Sequence, residues 1–176
     1  MQFYESLGLE PKLSLDLDDL KKRFYERSRQ WHPDRFSRAS ADEQQRALDM
    51  TAVLNDAFRT LREPVTRAEY FLKQKGFELS KEAPPELLEE VFELNMALEE
   101  LRGGDDSARP QLAQAEARFE GMRAAIDGEL SDLFVKYDDS EGPPVLEEIR
   151  AALNRRRYIN NLVREVEKEL HVHVPN

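Results

Sequence analysis

A proline between two helix-forming runs is the feature that most restricts how this chain can fold. The ring of Pro33 excludes the α conformation at His32, and Pro33 itself has a fixed φ and no N–H to donate. The helical periodicity on its two sides therefore belongs to two helices with a corner between them. We expect His32, Pro33 and Asp34 at the exposed tip of that corner.

The two flanking runs have the caps and the spacing of amphipathic helices. The first begins after Asp16 or Asp18, and the second after Ser40, where Glu43 completes a capping box. Spacings of three and four residues place their apolar positions on one stripe each. These stripes are Leu17, Leu20, Phe24 and Trp31, then Ala47 or Leu48, Thr51, Leu54, Asn55, Phe58 and Leu61.

The rest of the chain also has helical periodicity, which predicts an all-α protein. A short helix opens the chain, and another over 66–75 is stopped by Gly76. Three longer runs follow, over about 84–102, 107–137 and 145–170, separated by Gly103-Gly104 and by a turn over 138–144. They predict an antiparallel three-helix bundle. The predicted domains are 1–76, a linker over 77–85, and the bundle over 86–176.

The first bundle helix has two apolar stripes. Leu87, Val91, Leu94, Leu98 and Leu101 form a seam that suits burial in the bundle. A second stripe, Leu88, Phe92 and Met96, points away from it among Glu89, Glu93, Glu99 and Glu100. An exposed apolar strip with a charged rim indicates an interaction site. The alternative is a helix covered on both sides by a further element.

Charge is unevenly distributed along the chain. The net charge is −10, but residues 1–76 carry 14 basic and 13 acidic residues, so the acidity lies almost entirely in residues 77–176. Seven basic residues cluster within 20–38: Lys21, Lys22, Arg23, Arg27, Arg29, Arg35 and Arg38. A basic patch on an acidic protein favours an acidic protein partner and argues against nucleic acid. The alternative is an ordinary solvated face.

Several other function classes find little support. No apolar run approaches the roughly 18 residues of a membrane span, and we see no secretory leader. The absence of cysteine fits a reducing cytoplasm. His32 and Asp34 could instead be an inert turn or half a catalytic dyad, but catalysis needs a pocket and a helical corner is convex. His171 and His173 have no third ligand nearby, so we expect no metal and no cofactor.

The first half of the chain resembles a J-domain. The residues that carry the resemblance are 4–9 (YESLGL), 31–36 (WHPDRF) and 54–61 (LNDAFRTL), at J-domain spacing. The resemblance implies that the tripeptide and the basic helix before it engage a DnaK-type chaperone and stimulate its ATPase. The implied chaperone-binding residues are His32, Pro33, Asp34, Arg35, Lys21, Lys22 and Arg29.

Over its whole length the chain resembles the HscB family, J-domain co-chaperones of iron–sulphur cluster assembly. The resemblance implies two partners, an HscA-like chaperone and an IscU-like scaffold protein, and no enzymatic activity of the chain's own. The implied scaffold-binding positions are Leu88, Phe92, Glu93, Met96, Arg157 and Tyr158. The alternatives are a J-domain co-chaperone that serves a different client and a metal-dependent enzyme that uses the three histidines.

Overall fold

The protein is described by a computed structural model that covers residues 1–140 and 142–171, and these residues form α-helices and short 3-10 turns without a β-strand. The all-α prediction is therefore confirmed. The helices are α1 (Gln2–Ser6), α2 (Leu17–Gln30), α3 (Ala41–Arg62), α4 (Pro64–Gln74), α5 (Leu88–Arg102), α6 (Arg109–Ser140) and α7 (Pro143–His171). In this part of the chain, no helix combines the length and the apolar character needed to cross a bilayer.

The helices belong to two compact units. The first unit consists of Met1–Glu78 together with Phe134–Gly142, and the second of Leu79–Leu133 together with the chain from Pro143 onward. Helix α6 therefore contributes to both units.

In the first unit, α2 and α3 form a helical hairpin. The rings of Phe24 and Phe58 stack between them with centroids 4.4 Å apart, and nearer the tip the Thr51 hydroxyl lies 3.2 Å from the Trp31 carbonyl oxygen. Pairing of early α2 with late α3 makes the two helices antiparallel. Apolar residues of all four helices fill the core: Tyr4, Leu7, Leu20, Ala47, Leu54, Ala57, Leu61, Ala68, Phe71 and Leu72.

The predicted caps form as the sequence indicated. The Asp16 side chain accepts hydrogen bonds from the backbone N–H groups of Asp18 and Asp19 at the start of α2. At the start of α3, Ser40 and Glu43 exchange the two hydrogen bonds of a capping box. These caps satisfy N–H groups that a helix cannot pair internally.

In the second unit, α5, the first part of α6 and α7 form a three-helix bundle. Arg155 and Arg156 of α7 pair with Glu129 and Asp127 of α6 at 2.8 and 2.6 Å. Further along, Arg123 of α6 donates to the side chain of Asn160 at 3.1 Å. Later residues of α7 thus meet earlier residues of α6, as an antiparallel pair requires. The Arg156 side chain is only 21% exposed while its guanidinium pairs with Asp127, which fits the snorkelling expected at its place in the apolar seam.

Some sequence predictions are wrong in detail. Leu17 is 52% exposed, because it is the first residue of α2. Of the two alternatives at the start of the α3 stripe, Ala47 is buried and Leu48 is exposed. Helix α5 begins at Leu88, after a 3-10 turn over Pro85–Leu87, rather than at the two prolines. Helix α6 continues into the predicted turn as far as Ser140, and α7 begins within it, at Pro143.

Candidate functional site

The tripeptide lies at the tip of the α2–α3 hairpin, where the sequence predicted it. Helix α2 ends at Gln30, and His32 has an extended ψ of 130° because Pro33 follows it. Pro33–Phe36 then forms one 3-10 turn before α3 begins. The Asp34 side chain is 93% exposed and that of His32 is 59% exposed, so both are accessible to a partner.

Hydrogen bonding within the tripeptide fixes its local shape. The Nδ1 atom of His32 accepts a hydrogen bond from the Asp34 backbone N–H at 3.2 Å, which makes His32 the cap of the 3-10 turn. The same Nδ1 atom lies 3.7 Å from the Asp34 carboxylate. At such a solvent-exposed position the interaction between His32 and Asp34 contributes little to the free energy of folding. It sets the shape that the tripeptide presents to a partner and does not indicate catalytic chemistry.

Aromatic packing supports the tip from behind. The rings of Trp31 and Phe36 stack with centroids 5.8 Å apart and planes 5° apart, which joins the two ends of the corner. The Arg46 guanidinium of α3 lies 5.7 Å from the centre of the Trp31 ring. Cation–π contacts of this kind are attractive, so the corner is held on both helices.

The basic side chains of α2 include one that serves the fold and three that are accessible to a partner. Arg23 serves the fold, because it donates to the Asp19 carboxylate at 2.7 Å and to the Gly8 carbonyl at 2.6 Å. Lys21, Lys22 and Arg29 are exposed and form no ion pair with any residue that the structure describes. These three cations remain available for an acidic surface. The guanidinium of Arg35 lies 3.4 Å from the Arg29 carbonyl oxygen and is also exposed.

One residue of this surface was missed by the sequence analysis. Tyr25 is 51% exposed on α2, although its ring lies only 5.7 Å from that of Phe24. Its position off the apolar stripe was the available signal. An exposed aromatic ring beside these cations adds an apolar contact to a surface that otherwise offers charge.

The second stripe of α5 is exposed, as one of the two alternatives predicted. Leu88 is 55%, Phe92 66% and Met96 47% exposed, whereas Leu94 and Leu98 of the same helix are buried. The alternative of a helix covered on both sides is therefore wrong for the described residues. Glu93 beside the stripe lies 3.7 Å from Arg118 of α6.

The two remaining scaffold-binding candidates lie in a different depression. Phe92, Glu93 and Met96 line a groove between α5 and α6, whereas Arg157 and Tyr158 of α7 line a smaller one with the segment 80–82. The Arg157 guanidinium donates to the Ser80 carbonyl, and the Asn154 side chain accepts from the Ser80 N–H at 3.0 Å. Arg157 thus already has a structural partner, and the structure does not bring the six candidates into one pocket.

Residues 1–140 and 142–171 contain one cluster of side chains that could ligate a metal ion. Carboxylate oxygens of Glu116, Glu120 and Glu167 lie within 4.8 Å of one another, on α6 and α7. Surface carboxylates often cluster in this way without an ion, and we assign them no role. His171 is exposed at the end of α7, whereas His173 of the predicted histidine pair lies outside the described residues.

Comparison with known proteins matches two families along the chain. Residues 2–70 match the DnaJ domain family, and residues 83–167 match the HSCB C-terminal oligomerisation domain. A co-chaperone protein HscB homolog from Vibrio vulnificus is 33% identical over 171 residues, which cover 95% of each chain. Another, from Shewanella halifaxensis, is 34% identical over 154 residues, covering 85% of this chain and 88% of the relative.

Solved structures agree with the sequence relatives. Chaperone HscB from Vibrio cholerae superposes with a TM-score of 0.65 at 28% identity, covering 96% of both chains. Human co-chaperone HscB superposes with a TM-score of 0.69 over 97% of this chain and 82% of the human one. At 22% identity the human protein supports the fold alone.

An exposed His-Pro-Asp tip on a helical hairpin, together with a DnaJ-domain match, defines a J-domain co-chaperone. The second unit narrows the class further. It matches the HSCB C-terminal domain family, and the chain aligns with an HscB homolog over 95% of each. The chain belongs to the HscB co-chaperone family.

Proposed function

We propose that this protein delivers an IscU-like iron–sulphur scaffold to a specialised HscA-like chaperone of the DnaK type and stimulates the ATPase of that chaperone. It performs no chemistry of its own and acts in the cytoplasm. The observation that carries the proposal is that two accessible features lie in different compact units. The tripeptide tip belongs to the first unit, and the exposed stripe of α5 to the second.

The chaperone is engaged by the tip and by the basic face of α2. Asp34 presents a carboxylate that is almost fully exposed, and Lys21, Lys22 and Arg29 supply positive charge without competing ion pairs among the described residues. Electrostatic attraction to an acidic chaperone surface raises the rate of encounter and fixes the orientation. The stacked rings of Trp31 and Phe36 hold the tripeptide in one shape before the chaperone binds.

The scaffold is engaged by the exposed stripe of α5. Leu88, Phe92 and Met96 together present a large apolar area that a monomeric protein would otherwise bury. A thioether such as that of Met96 adapts to the shape of a partner, which suits a surface that must bind and release its client. Arg157 and Tyr158 contribute from the separate depression near Ser80.

A chain that binds both partners has two effects. It brings the scaffold close to the chaperone, and it shifts the conformational equilibrium of the chaperone. Joining the two sites raises the local concentration of scaffold at the chaperone. The tip must bind the hydrolysing state of the chaperone better than its other states, since only differential binding shifts a conformational equilibrium.

The decisive experiment separates the two activities with one substitution. We expect Asp34→Asn to reduce stimulation of the chaperone ATPase by at least tenfold, because the tip loses its carboxylate, and to leave scaffold affinity unchanged. Asp49→Asn is the matched control, since Asp49 is an exposed aspartate of α3 whose side chain accepts a hydrogen bond from Gln45 and from no other described side chain. Steady-state ATPase assays and calorimetric titration of the scaffold measure the two effects.

If the Asp34→Asn variant stimulates the chaperone ATPase as strongly as the native protein does, the proposed role of the tip is refuted. A pull-down in which the scaffold is not enriched would instead favour a J-domain co-chaperone with another client.

A further inference from the structure

The groove between α5 and α6 extends the exposed stripe onto a second helix. We infer that the client site is a two-walled groove, in which α6 forms the second wall and which receives an apolar side chain from a basic segment of the scaffold protein. This inference rests on the proposed function, because it assumes that the stripe of α5 binds the scaffold.

The groove is formed by large side chains at its rim and small ones at its base. It has a volume of about 580 Å³ and lies entirely within the second unit. Phe92 and Met96 of α5 stand at one edge, 66% and 47% exposed, while Ala97 of α5 and Ala115 of α6 line the interior. Two alanines on adjoining helices leave space that larger residues would fill, so an incoming side chain can pack against both helices.

The charges around the groove indicate what kind of segment it receives. Glu93 and Glu100 line the α5 side, and Arg118 of α6 lies 3.7 Å from Glu93. Glu100 has no ion-pair partner among the described residues, so the lining carries net negative charge. Glu93 and Arg118 are both about half exposed, and such a pair can open at little cost. A basic segment therefore finds one free carboxylate and a second that is easily released.

Other occupants fit these observations less well. Small-molecule sites enclose most of the ligand surface, whereas Phe92, the main aromatic residue here, remains two-thirds exposed. A second copy of this chain would bring the same surface to itself in a two-fold dimer. Carboxylates such as Glu100 would then approach one another, which disfavours self-association.

The experiment places a charge inside the groove and the same charge just outside it. Ala115→Glu fills the space that receives the apolar side chain and sets a carboxylate against it, a steric and desolvation cost that outweighs the added attraction for a basic segment. Ala117→Glu, on the same helix, adds the same charge outside the groove and is the control, because Ala117 is exposed and does not line the groove. We expect Ala115→Glu to weaken binding of the purified scaffold protein at least tenfold by calorimetry, and Ala117→Glu to change it less than twofold. Phe92→Ala is measured in parallel.

A second pair of variants guards against loss of folding. Gln114 lines the groove and is exposed, so Gln114→Arg leaves the core unchanged while it covers the groove and neutralises its carboxylates. Ala113→Arg is its exposed neighbour and control. We expect at least a fivefold loss of scaffold affinity for Gln114→Arg and none for Ala113→Arg.

The outcomes distinguish this inference from the proposed function. If Phe92→Ala weakens binding but Ala115→Glu and Gln114→Arg do not, the stripe binds the scaffold without α6 and the two-walled groove is refuted. If none of the three weakens binding, the client role of α5 itself fails. Concentration-dependent dimerisation by sedimentation that Ala115→Glu abolishes would also overturn the inference, since the occupant would then be a second copy.

Discussion

At the scale of single residues, Glu43 shows how one exposed carboxylate organises the helix that follows the tip. Its side chain accepts hydrogen bonds from the Ser40 backbone N–H at 3.0 Å and from the Ser40 hydroxyl at 2.9 Å. These bonds favour the ionised form and hold the pKa of Glu43 below its ordinary value of 4.5. The capping box at the start of α3 is therefore stronger when Glu43 is ionised.

The resulting pH dependence has a definite sign. A carboxyl whose pKa is lower in the folded state stabilises the fold above its unfolded pKa, and this contribution is lost as pH falls through the folded pKa. We therefore expect Glu43→Gln to be less stable than the native chain at pH 7 and the difference to shrink below pH 4.5. Urea unfolding over a pH series measures it, and a difference that does not vary with pH would contradict the assignment.

Residue-level prediction from the sequence succeeded where the cause was local. The caps at Asp16 and Ser40 depend on neighbours within three residues, so the sequence alone identifies them. Arg67 is the opposite case: it is only 4% exposed, donates to the Leu61 carbonyl at 2.7 Å and lies 5.9 Å from the ring of Phe134. Burial lowers the pKa of its guanidinium. No local pattern indicates such a residue, because the Phe134 ring that it lies against is distant in sequence.

At the scale of elements, α5 carries two faces with different tasks. Leu94 and Leu98 are buried and hold the helix in the bundle, whereas Leu88 and Phe92 remain exposed. Angular counting along one helix suffices to separate the two faces, and the sequence therefore predicted both. Which neighbouring helix forms the opposite wall of the groove depends on packing, so the contribution of Ala115 and Arg118 could not be predicted.

The two faces of α5 should respond differently to truncation. We expect Leu88→Ala combined with Phe92→Ala to weaken scaffold binding while leaving the free energy of unfolding nearly unchanged, because the removed groups are already exposed. Leu94→Ala is the control and should destabilise the protein by about 2–5 kcal/mol, as buried leucines do. Chemical unfolding and scaffold titration measure the two effects. A large loss of stability in the double variant would mean that the stripe is covered.

At the scale of the whole molecule, the first unit is completed by residues far from it in sequence. The Asp138 carboxylate accepts hydrogen bonds from the backbone N–H groups of Leu13 and Ser14 at 2.9 and 2.7 Å. The ring of Tyr137 packs edge-on against that of Phe71, with centroids 5.3 Å apart. The proline corner predicted the tip correctly, but no pattern in the sequence links 134–142 to residues as far back along the chain as Phe71 and Leu13.

A fragment that ends at residue 78 should therefore be less stable than the same residues in the full chain. The fragment loses the Tyr137 ring and leaves two backbone N–H groups without their carboxylate acceptor. The single tryptophan, Trp31, reports unfolding of this unit in both proteins. In the full chain, Asp138→Ala should reproduce part of the loss, whereas its exposed neighbour Asp139→Ala should not. Equal melting temperatures for fragment and full chain would contradict this expectation.

Because α6 supplies residues to both units, the first unit cannot be exchanged between proteins as one continuous segment that ends with α4. A chimera that grafts this hairpin onto another client-binding protein would have to bring the Phe134–Gly142 segment with it, or replace its contacts by redesign. Recombination that exchanges the first unit between co-chaperones must therefore preserve two stretches of the chain, Met1–Glu78 and Phe134–Gly142, rather than one.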